Sequence, residues 1–114
     1  MTRLHVAIPL RWSDLDAYAH VNNARMFTLL EEARIAAFWG GGANGAPTAV
    51  LTTGPGAASI TLIAGQQIEY RGQIPFHRAP LDVELWIGKL GGASLQVCYE
   101  VYSPAGEEPR TLYV

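Results

Sequence analysis

Apolar and polar residues alternate one by one in several separate stretches of this chain, and a period of two restricts those stretches to strands with one packed face. Leu4, Val6, Ile8, Leu10 and Trp12 form the first row, with His5, Ala7 and Arg11 between them. A second, longer row places Ile60, Leu62, Ala64, Gln66, Ile68 and Tyr70 on one side and Thr61, Gln67, Glu69 and Arg71 on the other. In the third, Val83, Leu85 and Ile87 oppose Asp82, Glu84 and Trp86. Gly91-Gly92 then suits a hairpin turn, and Leu95, Val97, Tyr99 and Val101 oppose Gln96, Cys98 and Glu100 in a fourth. After the turn Ser103-Pro104-Ala105-Gly106, Arg110–Val114 opens a fifth. One-sided alternation of this kind predicts antiparallel strands with one face buried and one wet.

One segment alone has a long helical period, from Asn23 to about Trp39. Asn22 or Asn23 can cap its start, and Gly40-Gly41-Gly42 stops it. Met26, Leu29, Leu30, Ala33, Ala36 and Ala37 share one broad face, flanked by Phe27 and Phe38. Ile35 and Trp39 fall on the opposite side, which an ordinary surface helix keeps polar, so a second contact is expected there. One helix on five antiparallel strands is an α+β layer arrangement, and its open sheet edges invite pairing between copies.

The 114 residues and 12.3 kDa fit a single domain over 1–114, large enough for a core without staples. Net charge is −2 and the eight Lys and Arg are scattered, which argues against nucleic acid as a partner. Cys98 is the only cysteine, so internal disulfides and cysteine-based metal clusters are excluded. No apolar run approaches the ~20 residues of a membrane helix, and His5, Pro9 and Arg11 interrupt any signal-peptide core. The expectation is a cytoplasmic protein without a membrane partner. The Gly/Ala/Pro/Thr-rich stretch 40–59 contains Gly54-Pro55-Gly56, but no strand precedes it and the proline lacks the amide a phosphate cradle needs. Cys98 has no histidine near it in sequence and alternates normally within its strand, which is the pattern of an inert thiol.

Polar residues concentrate instead between the first strand and the helix: Arg11, Ser13, Asp14, Asp16, Tyr18, His20, Asn22 and Asn23. A carboxylate just before a helix lies near unpaired amides and the positive end of the macrodipole, which favours its ionised form and suits a base or nucleophile. The same amides can polarise a carbonyl and stabilise the oxyanion formed from it. Asp14 and Asp16 could equally be turn-forming residues at the strand-to-helix junction, His20 a structural histidine, or the three together ligands of a metal.

Arg11-Trp12-Ser13-Asp14-Leu15-Asp16, His20-Val21-Asn22-Asn23 and Glu32-Ala33-Arg34 together resemble the signature of the hotdog-fold acyl-CoA thioesterases, in the branch of the 4-hydroxybenzoyl-CoA thioesterases. Ile68-Glu69-Tyr70-Arg71 followed by Pro75 is similar to that family's second-strand motif, and the resemblance runs over nearly the whole chain. It implies a hotdog fold, one long central helix wrapped by a five-stranded antiparallel sheet. It also implies hydrolysis of an acyl-CoA thioester, with no cofactor or metal, coenzyme A being part of the substrate. By position Asp16 resembles the catalytic carboxylate, attacking the thioester or activating water, and the backbone N–H of Asn23 resembles the group that binds the thioester oxygen. Asp14, His20 and Asn22 read as organisers of the loop, His20 and Asn22 also as substrate neighbours. Met26, Phe27 and Leu30 would line the acyl chain, with Tyr70 and Arg71 also at the substrate. Arg71, Arg78 and Lys89 are the candidates for the nucleotide phosphates, and Glu69 and Gln66 for a contribution from a neighbouring subunit. The assembly implied is a homodimer with a joined ten-stranded sheet, often paired into a tetramer. Three departures stand out: Ala19 where relatives often have glycine, Met26 where they usually have tyrosine, and an end at Val114 where they usually continue. A non-catalytic acyl-CoA binder and an acyl-thioester dehydratase or hydratase on the same fold are the competing readings.

Overall fold

The computed structural model of the protein describes residues 3–38 and 62–114. Strand β1 (Leu4–Ile8) leads through a short 3₁₀ turn at Trp12–Asp14 to helix α1 (Asn23–Phe38), and β2 (Leu81–Leu90) and β3 (Leu95–Tyr102) follow. The three strands form one antiparallel sheet in the order β1-β2-β3. Its register sets Val6 opposite Val83 and Val83 opposite Val101, so a row of β-branched side chains crosses the face that meets the helix. Leu81, Val83, Leu85 and Val101 on that face are fully buried, against Met26, Leu29, Leu30, Ala33, Ala37 and Phe38 of α1. The methyl of Ala33, wholly buried, lets the helix lie close to the sheet. Phe38 belongs to this buried stripe itself, while Ala36, expected within it, is exposed. Gly40 and its neighbours, Trp39 and the stretch 40–59 lie outside the described residues.

β2 is kinked by a bulge between Ile87 and Lys89, where register against β3 shifts. The bulge residue is Gly88, and a Cβ there would collide with Gln96 Oε1 and Cys98 Sγ. The β2–β3 hairpin closes through the expected glycines, Gly91 N–H donating to the Ser94 carbonyl at 2.7 Å.

Two predicted strands take a different form. Residues 110–114 run beside the end of β3 through one bridge, Tyr102 with Leu112, and through bonds such as Tyr113 N–H to Val101 O at 2.8 Å. Residues 62–71, despite their alternation, form no ladder with any described residue; Leu62 and Ile63 are exposed, and the backbone first meets the sheet where Arg71 N–H donates to Tyr113 O at 2.8 Å. Alternation marks a segment able to pair, but a ladder needs a second strand alongside. Trp12 also departs from its row: the chain turns before it, so the ring is exposed and stacks on Phe76 with centroids 4.1 Å apart.

The outer sheet face, predicted to be wet, carries a closed ion-pair network. Arg110 pairs with Asp82 at 2.9 Å and with Glu84, and Arg3 pairs with Glu84 at 3.1 Å and with Glu100. The two guanidiniums lie over Tyr102 and Trp86, at 3.4 Å and 3.9 Å from the ring centroids. Glu84 is buried beneath them, yet remains below the usual carboxylate range, because the two arginines outweigh the upward push of its desolvation.

Candidate active site

The junction between β1 and α1 is built on its own hydrogen bonds. Asp14, fully buried, accepts from Arg11 N–H at 2.9 Å and from the Arg11 guanidinium at 2.9 Å, with Arg25 of the helix 3.7 Å away. Burial pushes this carboxyl up, but the Arg11 bonds and both positive charges outweigh it and hold it below the ordinary range. The Asp14 carbonyl in turn accepts Asn22 N–H at 2.8 Å. Asp14 is thus the hub between the turn and the helix start, with its carboxylate already engaged.

Asp16 faces a different task. Its Oδ1 accepts Tyr18 N–H at 2.9 Å and His20 N–H at 3.4 Å, while its N–H donates to the His20 carbonyl at 2.8 Å. One carboxylate oxygen is fixed by this small Asx loop, and Oδ2 has no partner among the described residues. The loop closes through Ala19 at φ 62°, the left-handed region where an L-residue is strained. That is the position where the resembled family often places glycine, and the alanine holds the same backbone shape at a steric cost.

Asn22 is the helix cap: its Oδ1 accepts Ala24 N–H at 2.9 Å and Arg25 N–H at 3.1 Å. A helix begins with four amides that have no intrahelical acceptor. Here Asn22 N–H goes to Asp14, and Ala24 and Arg25 go to the cap. Asn23 N–H alone has no acceptor among the described residues, and Asn23 is exposed.

A cavity of about 250 Å³ opens at this helix mouth, lined on one side by Asp16, His20, Val21, Asn23 and Met26. Its other side is Tyr70, Arg71, Gly72, Gln73 and Ile74. The two sides are joined by Val21 N–H donating to Ile74 O at 2.8 Å, by a bridge between His20 and Pro75, and by the Tyr70 hydroxyl donating to Asn23 O at 2.6 Å. His20 keeps a buried Nδ1 with no hydrogen-bond partner among the described residues.

Of the residues singled out in the sequence, Asp16, Asn23, His20, Met26, Tyr70 and Arg71 share this cavity. Asn22, Phe27 and Leu30 are not in its lining: Asn22 is turned to capping, and Leu30 lies in the core between helix and sheet. Arg78 and Lys89 are exposed and stand outside the lining, as do Gln66 and Glu69; Glu69 lies 3.7 Å from Arg71. Val21, Gly72, Gln73 and Ile74 were missed as site residues, although the last three sit inside the motif that ends at Pro75. Asp14, Asp16 and His20 do not converge as ligands. Among the described residues, only His5, Asp82 and Glu84 bring ligand atoms within 4.8 Å of one another, and the arginines of the outer face engage those carboxylates. No helix among the described residues is long and apolar enough to cross a membrane.

No curated protein sequence matches the chain. A solved structure from Xanthomonas campestris, of a protein proposed to be an acyl-CoA thioesterase, superposes with a TM-score of 0.70 at 23% identity, over 97% of this chain and 86% of that one. The strand, helix and sheet order described above is thus the hotdog arrangement that the sequence motifs resemble. The model of the thioesterase-like superfamily matches residues 10–112, nearly the full length, and the chain belongs to that superfamily.

Proposed function

We propose that this protein hydrolyses an acyl-CoA thioester to the free acid and coenzyme A. The observation that carries the reading is the presence, in the lining of one cavity, of a carboxylate with an uncommitted oxygen and the one unused amide of a helix start. A thioester carbonyl oxygen set against Asn23 N–H becomes more electrophilic at carbon, and the oxyanion formed there is stabilised by that donor. Asp16 supplies the attack through Oδ2, either directly on carbon or by taking a proton from a water that attacks. The carbon–sulfur bond then breaks and coenzyme A departs as a thiolate, a leaving group that needs no strong general acid. On the water route this leaves the free acid; on the direct route it leaves an acyl–Asp16 anhydride that a water then cleaves to the free acid and the Asp16 carboxylate. Met26, with Val21 and Ile74, is apolar lining for the acyl group, and Arg71 is the arginine in the lining that would meet the nucleotide phosphates.

The test is thiol release from short, long and aromatic acyl-CoAs. Asp16→Asn is expected to lower kcat by ~10²–10⁴ with the melting midpoint unmoved. Near-normal turnover in that variant would remove Asp16 from the mechanism, and binding without thiol release by the wild type would favour a non-catalytic acyl-CoA module. A dehydratase would want a carboxylate against a histidine ring, whereas the His20 ring pairs with none among the described residues.

We also propose that two copies join through residues 62–70, whose backbone makes no hydrogen bond to another described residue. Tyr70 at the end of that segment lines the cavity, so pairing there would place a second copy beside the site. Sedimentation at micromolar concentration should report a dimer; a monomer that still turns over would refute the pairing.

A further inference from the structure

We infer that Tyr70 is a positioning residue for the amide donor of the site, acting through the Asn23 carbonyl rather than on the substrate. This rests on the reading of Asn23 N–H as the oxyanion donor.

The direction of that N–H is set by the two peptides that flank Asn23. The peptide before it carries the N–H, and its other end is the Asn22 carbonyl, which accepts Met26 N–H at 3.1 Å. The peptide after it carries the Asn23 carbonyl, which in a regular helix accepts from Phe27 N–H. That carbonyl also takes the Tyr70 hydroxyl at 2.6 Å, from a residue 47 positions further along the chain. Met26 N–H thus anchors one peptide, and Tyr70 braces the other. Without Tyr70, the second anchor is a single bond in the first turn of a helix, where fraying is easiest.

The phenol suits the task. Desolvation raises its pKa, so it stays a neutral donor through the range in which a thioesterase works. Its ring lines the cavity, but its one proton is already given to Asn23, which leaves none for a substrate. No other side-chain hydrogen bond among the described residues joins the segment 62–74 to α1. A displacement of about 1 Å in a catalytic donor costs on the order of 10²-fold in rate, so this bond bears on turnover more than on global stability.

The experiment compares wild type, Tyr70→Phe and Asp16→Asn by thiol-release kinetics, thermal melting and amide hydrogen exchange. In Tyr70→Phe, kcat should fall ~10-fold with KM within about twofold and the melting midpoint nearly unmoved. The Phe27 amide, bonded to the same carbonyl, should exchange several-fold faster, whereas Asp16→Asn should leave its exchange unchanged. A raised KM at unchanged kcat would make Tyr70 a substrate contact and overturn the inference, as would unchanged Phe27 exchange. If the wild type releases no thiol from any acyl-CoA, the hydrolase reading fails, and Phe27 exchange still decides whether Tyr70 holds Asn23.

Discussion

The two walls of the cavity are built in opposite ways. The wall from Arg11 to Met26 is self-sufficient: a buried carboxylate, an Asx loop and a cap account for its hydrogen bonds, and most of them span fewer than ten residues. The facing wall, residues 70–74, is held by distant partners: Arg71 and Gly72 N–H to Tyr113 O, Ile74 O to Val21 N–H, and Tyr70 to Asn23. Tyr113 is itself buried, its hydroxyl 3.1 Å from His77 Nε2. The lesson is a division of labour. The groups proposed to do the chemistry sit on local, redundant geometry, while the facing wall hangs on a few long-range bonds.

The largest way to break this contrast is to remove the hub of the first wall. Asp14→Ala takes the acceptor from Arg11 N–H and empties a fully buried position, and should cost about 2 kcal/mol in urea unfolding, with turnover falling as the Asp16 loop loosens. If stability fell by less than about 1 kcal/mol, the first wall would not be held from Asp14.

Acid should act in the same direction by a smaller amount. The Asp14, Asp82 and Glu84 carboxyls all lie lower in the folded protein than in the unfolded chain. Each therefore contributes stability that is fully present above the ordinary carboxylate value of about 4 and is lost as pH falls through its lowered folded value. The urea midpoint should be flat from pH 7 to 5 and decline below 4. Arg110→Met should remove part of that decline, the part due to the outer face, and leave the share due to Asp14; an unchanged slope would mean that the outer network contributes nothing.

The smallest effect sharpens the comparison. Ala19 at φ 62° is the one strained point of the tight wall. Ala19→Gly relieves about 1 kcal/mol of strain against a smaller gain in unfolded-chain entropy, so thermal melting should rise by a few degrees at most. A lower melting temperature would show that the alanine methyl makes a packing contact that outweighs its strain.

Much of the first wall was legible from residue order, because its bonds are local. Asp-x-Asp, an asparagine at the helix start and the fullness of the Met26–Ala33 face can each be read within a window of a few residues. The facing wall was legible only as a motif. Nothing in Ile68-Glu69-Tyr70-Arg71 says that the tyrosine hydroxyl ends on the Asn23 carbonyl, since that depends on two segments 47 positions apart meeting. Trp12 and Glu84 misled for the same reason: alternation assigns a side chain to a face, but what covers that face comes from elsewhere, Phe76 for the one and Arg3 with Arg110 for the other.

Local chemistry, then, settled β1, β2 and β3, the helix starting at the Asn22–Asn23 pair, and a carboxylate placed before that start, because backbone propensity and short-range hydrogen bonds do not depend on the rest of the fold. Which of two aspartates is buried as a hub and which keeps a free oxygen at a cavity was settled by packing. Asp14 meets Arg25 of α1 while Asp16 meets the opening under Tyr70, and that difference in surroundings exists only once the helix, the sheet and the 70–74 segment have come together.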